Sequence, residues 1–171
     1  MLVRNETRRR KMNRLMRRLG KETEECCLME EEHPIRARPI DQANLKKWEA
    51  FMKGPDNSPY EGYVYHLAID FPQEYPLSPP LVYFNTPMFH PNISSGKTGT
   101  ICLDILKNQW SPVLTLPKVL LSIMSLLTDP NPDSPLNSEA ARSWKKTNQE
   151  GYYKKVKELG EEYALRELPT N

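Results

Sequence analysis

Apolar residues recur at two different spacings along this chain, and the change from one to the other divides it. From Thr7 to Glu32 they fall at steps of three and four, with Met12, Met16, Leu19, Thr23 and Cys26 on one stripe, which predicts a long first helix. From Tyr63 to Phe71 the step is two. Tyr63, Tyr65, Leu67, Ile69 and Phe71 alternate with Val64, His66, Ala68 and Asp70, as in a half-buried antiparallel strand. His66 falls on the more polar face, where a surface or hydrogen-bonded histidine belongs. Further extended stretches are predicted at 35–38, bracketed by Pro34 and Pro39, at 45–53 with Trp48, Ala50 and Met52 on one face, and at 81–85. Gly54-Pro55-Asp56-Asn57-Ser58-Pro59 reads as a turn. Four prolines between Phe71 and Pro80 each remove a ladder donor, so that segment is an extended loop.

The helical spacing returns after residue 115. Thr115 is a cap with Pro117 in the first turn, and Val119, Leu120, Ile123, Met124, Leu126 and Leu127 make the following helix apolar nearly all round, as befits a central helix packed on a sheet. Asp129 to Pro135, with three prolines, breaks it. Asn137 or Ser138 caps a short helix through Trp144. Asn148 caps a last one whose Tyr152, Val156, Leu159 and Tyr163 share a face. Strands and helices are segregated, so the predicted class is α+β: an N-terminal helix, a four-stranded antiparallel meander, a central helix and two C-terminal helices.

Composition narrows the picture further. At 171 residues the chain suits one domain with a real core. A net charge of +2 disfavours a general nucleic-acid binder. No apolar run of about eighteen residues exists to insert in a membrane, and the start has no apolar stretch for a signal peptide, so the expected place of work is the cytoplasm. Three cysteines, two of them the adjacent Cys26 and Cys27, make no disulfide framework and no metal-ligand spacing. Cys26 and Cys27 read as small helix-packing residues.

Charge is unevenly placed in the first helix. Arg8, Arg9, Arg10, Lys11, Arg14, Arg17, Arg18 and Lys21 precede Glu22, Glu24, Glu25, Glu30, Glu31 and Glu32. This order opposes the helix macrodipole at both ends, so helix stability does not account for it. A solvated end and a basic docking face are the two readings.

Chemistry concentrates between His90 and Asp104. Cys102 lies in a loop rich in turn formers, and an ordinary thiol of pKa ~8.5 is already a few per cent thiolate at pH 7. Asn92 supplies an amide, either as an oxyanion donor or as a brace for the loop. Asp104 follows the cysteine by two residues and would hold its thiol neutral. His90 precedes Pro91 in a turn, where a structural hydrogen bond competes with the role of base in a cysteine hydrolase. Thiol and amide together point to acyl transfer.

The ordered set His90-Pro91-Asn92, Ile101-Cys102-Leu103-Asp104-Ile105-Leu106, Gln109-Trp110-Ser111-Pro112, Asp129-Pro130-Asn131-Pro132 and Pro135-Leu136, with Tyr75-Pro76-Leu77-Ser78-Pro79-Pro80 upstream, resembles the ubiquitin-conjugating (E2) enzymes. The resemblance runs from about Arg14 to Leu165. It implies a catalytic domain of that fold over 14–168, with residues 1–13 a basic extension of the first helix. It further implies that Cys102 carries ubiquitin as a thioester received from the activating enzyme (E1), that His90 is mainly structural, and that Ser134 and Leu136 lie on the acceptor side. The domain would need no cofactor or metal of its own, because E1 consumes the ATP. Arg10, Arg14 and Arg17 on the first helix, with Leu77, Pro112 and Val113 on two loops, match positions that meet E1 and RING-type E3 ligases; the remaining partner is the protein substrate. A non-catalytic E2-like adaptor and an E2 for another ubiquitin-like modifier are the alternatives.

Two departures refine the resemblance. Ser134 stands where many E2s have an aspartate that helps an attacking lysine lose its proton; Asp133 is adjacent, and Ser134-Pro135 is a phosphorylation-type pair. Pro39-Ile40-Asp41, Leu45-Lys46-Lys47-Trp48-Glu49-Ala50, Tyr75-Pro76-Leu77, Lys97-Thr98-Gly99 and Asp133-Ser134-Pro135-Leu136-Asn137 look more like the peroxisomal branch, whose members dock on a membrane-anchored peroxin and modify a cysteine. Val113-Leu114 departs from that branch. Arg38 lies where some members present a small residue to a second, backside ubiquitin.

Overall fold

The strand read at 63–71 lies at the centre of an antiparallel meander in the computed structural model, which describes residues 2–96 and 98–170, with the backbone alone for residues 2–5, 7, 8 and 31. Lys97 and the side chains of Arg8 and Glu31 thus lie outside the described residues. The order is α1 (Leu2–Glu32), β1 (Ile35–Pro39), β2 (Lys47–Lys53), β3 (Val64–Asp70), β4 (Leu81–Phe84), β5 (Gly99–Thr100), α2 (Leu116–Thr128), α3 (Ser138–Trp144) and α4 (Glu150–Tyr163). Each strand pairs antiparallel with the next.

Register aligns the apolar face. Ala37 lies opposite Ala50, Ala50 opposite Leu67, and Leu67 opposite Phe84, while Trp48, Ile69 and Val82 form a second row. All of these are buried, together with α2 residues Val119, Leu120, Ile123 and Leu127 and α1 residues Leu15, Leu19, Cys26 and Met29. Burying each of the Leu, Ile, Val, Phe and Met side chains among them is worth about 1.5–3 kcal/mol, so the expected meander and central helix hold together as one core. β5 adds a fifth strand of two residues that sequence alternation does not announce. It packs closely: a Cβ at Gly99 would meet Phe84 Cβ at 2.8 Å and the Phe84 carbonyl oxygen at 3.0 Å.

Several local expectations are corrected. α1 begins at Leu2, not Thr7, and its buried line is Leu15, Leu19, Glu22, Cys26 and Met29; Met16 is exposed. A buried glutamate within the stripe hid its true phase. Cys26 packs in the core, but Cys27 faces outward. Thr115 has the extended backbone of a cap without a side-chain bond. The first N–H of α2, from Leu116, goes instead to Glu22 Oε2 at 2.7 Å. Asn137 caps α3 through Ala140 N–H as expected. Asn148 accepts from Glu150 N–H one position outside the cap of α4, and Tyr163 is exposed, not part of the packed face. His66, half-buried on the outer sheet face, stacks on Phe51 with ring centroids 4.7 Å apart. Arg38 on the same face pairs with Glu49 at 3.0 Å.

Candidate active site

Pro91 and Asn92 organise the site. The Pro91 carbonyl accepts the backbone N–H groups of Leu136 (2.8 Å) and Asn137 (3.0 Å), and the Asn92 carbonyl accepts that of Cys102 (2.8 Å). One short turn therefore holds both the thiol-bearing loop and the 129–137 loop. The Asn92 side chain completes the tie: Nδ2 donates to the carbonyl oxygens of Asn131 (2.7 Å) and Ser134 (3.3 Å), and Oδ1 accepts Asn131 N–H (2.7 Å). At 2 % exposure the amide has no free face, and both of its donors are engaged.

His90, which opens the same turn, is fully buried. Its Nδ1 accepts Asn92 N–H at 2.9 Å, which places the ring proton on Nε2, where it donates to the Leu126 carbonyl at 2.9 Å. Burial lowers its pKa to about 4, opposed by the Leu126 bond. With both nitrogens engaged and the ring shut from solvent, His90 is not placed to take a proton from Cys102. The hydrolase reading fails on this geometry.

Cys102 itself is part-exposed. Upstream, Ile93 bridges Ile101, Ser94 N–H bonds the Thr100 carbonyl (3.0 Å), and Ser94 Oγ joins Thr98 O and Thr100 N, each at 2.9 Å, closing the loop before the thiol. Downstream, Asp104 opens a 3₁₀ turn (Asp104–Leu106). Its carboxylate accepts Ile105 N–H (2.7 Å), and its carbonyl accepts the N–H groups of Lys107 (2.9 Å) and Gln109 (3.0 Å). Asp104 thus shapes the turn. The turn carries Lys107 back over the cysteine, with Nζ 3.3 Å from Sγ. Sequence reading missed Lys107; a spacing of five residues across a 3₁₀ turn was the only signal for it.

Ser134 and Leu136 are both exposed beside this frame, fixed through their backbones. Asp133 is drawn elsewhere, its carboxylate 2.7 Å from Lys145 Nζ.

The candidate docking residues lie on three elements that share one anchor. Arg10, Arg14 and Arg17 are exposed at helical spacing on α1, Arg10 pairing with Glu6 at 3.0 Å. Leu77 and Val113 are exposed at 65 % and 73 %, and Pro112 is exposed too. Arg18, from the same helix, donates to the carbonyls of Pro112 (2.8 Å) and Leu114 (2.6 Å) and pairs with Glu22 (2.6 Å). Trp110 Nε1 donates to the Pro76 carbonyl at 2.9 Å, tying the two loops together. Tyr75 donates its hydroxyl to Glu22; burial and then that carboxylate push the phenol's pKa up, so it remains a donor. No metal-binding cluster occurs among the described residues, and no helix among them is long and apolar enough to cross a membrane.

Residues 18–159 match the family model described as ubiquitin-conjugating enzyme. Among solved structures, the E2 domain of a Toxoplasma gondii ubiquitin-conjugating enzyme is similar at 38 % identity, over 88 % of this chain and 99 % of that one, with a TM-score of 0.77.

Proposed function

Because the chain belongs to the ubiquitin-conjugating enzyme family, we propose that it is a catalytically active E2 in which Cys102 receives ubiquitin and passes it on. The Cys102 thiolate attacks the E1–ubiquitin thioester, the E1 thiolate leaves, and a substrate amine or thiol then attacks the new thioester on Cys102. The first step, and the second when the acceptor is a thiol, exchange sulfur for sulfur and require no strong base. The observation that carries this reading is that one turn, Pro91-Asn92, bonds both the part-exposed Cys102 and the loop bearing Ser134 and Leu136, so nucleophile and acceptor side are held in one frame.

The engaged amide of Asn92 supports bracing over oxyanion donation, since a donor role requires giving up a bond to Asn131 or Ser134. Ser134 offers no carboxylate, and Asp133 is paired with Lys145. A lysine of pKa ~10.4 is neutral in only about one molecule in a few thousand at pH 7, so discharge to free lysine is slow, whereas a cysteine acceptor suffers far less. Phosphorylation of exposed Ser134 would restore a charge of about −1.5 to −2. This preference, together with the segments 39–50, 75–77 and 133–137, favours the peroxin-type branch as the finer assignment, with work in the cytoplasm or peripherally at the peroxisomal membrane through a membrane-anchored peroxin. Leu77, Pro112 and Val113 form the surface for a RING-type E3, with Arg10, Arg14 and Arg17 serving E1. The ATP is consumed by E1, and the domain has no cofactor.

The test is charging with E1, ATP and ubiquitin, followed by gels with and without reductant. The reading requires a reductant-sensitive adduct that Cys102→Ser abolishes or converts to a reductant-resistant ester. Absence of any adduct with ubiquitin or a related modifier would leave the adaptor alternative.

A further inference from the structure

We propose that the groove between α3 and α4 is a binding site for a phosphate monoester, separate from Cys102 and independent of its thioester chemistry. Two adjoining depressions of about 360 Å³ each open between these helices and share Ser143, Lys146 and Gly151. Arg142 and Lys155 line the first and Lys154 the second, with the buried Phe89 forming an apolar part of the first wall. The walls are set before any ligand arrives. Trp144 at the end of α3 packs edge-on against Tyr152 of α4, with ring centroids 5.0 Å apart, and Phe89 packs on the same tyrosine at 5.4 Å. Gln149 Nε2 donates to the Trp144 carbonyl at 2.8 Å, fixing the connection between the helices. A preformed groove loses little freedom when it is filled.

Charge selects the ligand. Arg142, Lys146, Lys154 and Lys155 face only two carboxylates along the groove, those of Glu139 and Glu150. Among the described residues neither Arg142 nor Lys146 pairs with an acid, and Lys155 meets Glu158 only at 3.8 Å. A phosphate monoester carries about −1.5 to −2 at pH 7 and so matches the excess of positive charge, which a single carboxylate half fills. Arg142 adds a planar fork suited to two phosphate oxygens at once. The start of α4 supplies further donors at the same place. Glu150 N–H is taken by Asn148 Oδ1 at 2.9 Å, but the N–H groups of Gly151 and Tyr152 have no hydrogen-bond partner among the described residues. Gly151 leaves them uncovered, since a Cβ there would have no neighbour within 4 Å. A cavity, a cluster of cations and bare amides therefore converge on one small dianion.

The experiment titrates the isotope-labelled full-length chain with N-acetyl-O-phosphoserine amide at constant ionic strength and follows the backbone amide resonances. Saturable shifts at Gly151 and Tyr152 that N-acetylserine amide does not produce support the site. Arg142→Glu combined with Lys146→Glu reverses two exposed cations and is expected to weaken binding by about tenfold or more. Arg142→Gln combined with Lys146→Gln tests the same loss if the reversal disturbs the fold, which the remaining amides report. A second arm screens peptides with one fixed phosphoserine and degenerate flanks. Peptides bound about tenfold or more tighter than the blocked amino acid trace the phosphate to a protein segment, and none tighter traces it to a small metabolite; both support the site. No shift at Gly151 and Tyr152, unsaturable shifts spread over exposed lysines, equal shifts from N-acetylserine amide, or unchanged affinity in the folded double variants would each overturn it.

Discussion

The Glu22 carboxylate, on the first helix, accepts the first backbone N–H of the central helix, that of Leu116, at 2.7 Å across a separation of 94 residues. The same fully buried carboxylate takes Arg18 and the Tyr75 hydroxyl, so one acidic side chain joins α1, the loop before β4 and the start of α2. Arg18 in turn holds the Pro112 and Leu114 carbonyls. The exposed Val113 is therefore presented on a loop whose position depends on a charge pair in the core.

Removing that carboxylate strands three donors. Glu22→Ala is expected to cost about 3–5 kcal/mol in urea unfolding, the usual penalty for breaking a buried pair by deleting one partner. The loss should largely persist in high salt, because the carboxylate is fully buried and a pair with one buried partner is little screened. A loss under 1 kcal/mol would mean that water replaces the carboxylate without strain.

Asn92 links the thiol loop to residues 131–134 through its side chain. Asn92→Ala is expected to raise hydrogen exchange of the Asn131 amide by about tenfold or more, since losing a buried hydrogen bond costs about 1–3 kcal/mol locally. On the proposed function, charging of Cys102 by E1 should fall less than discharge to an amine, because the loosened segment is the proposed acceptor side. Slowed discharge with an unchanged exchange pattern would instead favour the oxyanion role.

His90 makes stability depend on pH. Its folded pKa of about 4 lies below the ordinary 6.5, so the unfolded chain takes up this proton first. The contribution is fully present above about pH 6.5, is lost progressively as pH falls from 6.5 through 4, and changes no further below that. The loss approaches about 3 kcal/mol. His90→Asn should remove this slope between pH 4 and 6.5 even though it lowers stability overall; an unaltered slope would assign it to other groups.

Ser134→Asp tests the acceptor preference. A carboxylate at this exposed position is expected to speed discharge of the charged enzyme onto free lysine by about tenfold, equivalent to roughly 1.4 kcal/mol, with little change toward a free thiol. Rapid discharge of the native chain to lysine, unaltered by the substitution, would remove the argument for a cysteine acceptor.

Much of this molecule was legible in the one-dimensional pattern. Alternation over 63–71 placed the central strand and its buried face, and the apolar run of 119–127 placed the central helix, because both periods follow from backbone geometry. Pro91 next to His90 and Asn92 marked the site, since a fixed φ and short polar side chains define a turn locally. The resemblance carried the chemistry to Cys102, and the comparisons bear out its family.

Tertiary structure decided what depends on residues distant in the chain. The phase of the α1 stripe turned on Glu22, a charged residue that a hydrophobic pattern assigns to solvent and that only Arg18, Tyr75 and Leu116 together make buriable. The Asn92 donors were committed to carbonyls about forty residues away, and Lys107 was brought to the sulfur across the short turn that Asp104 opens. Which groups can react and which faces must be hidden followed from the order of residues alone, because these are properties of side chains and of backbone period. Which polar atom satisfies which other was settled by the folded chain, where burial makes an unpaired donor costly and so fixes each partner.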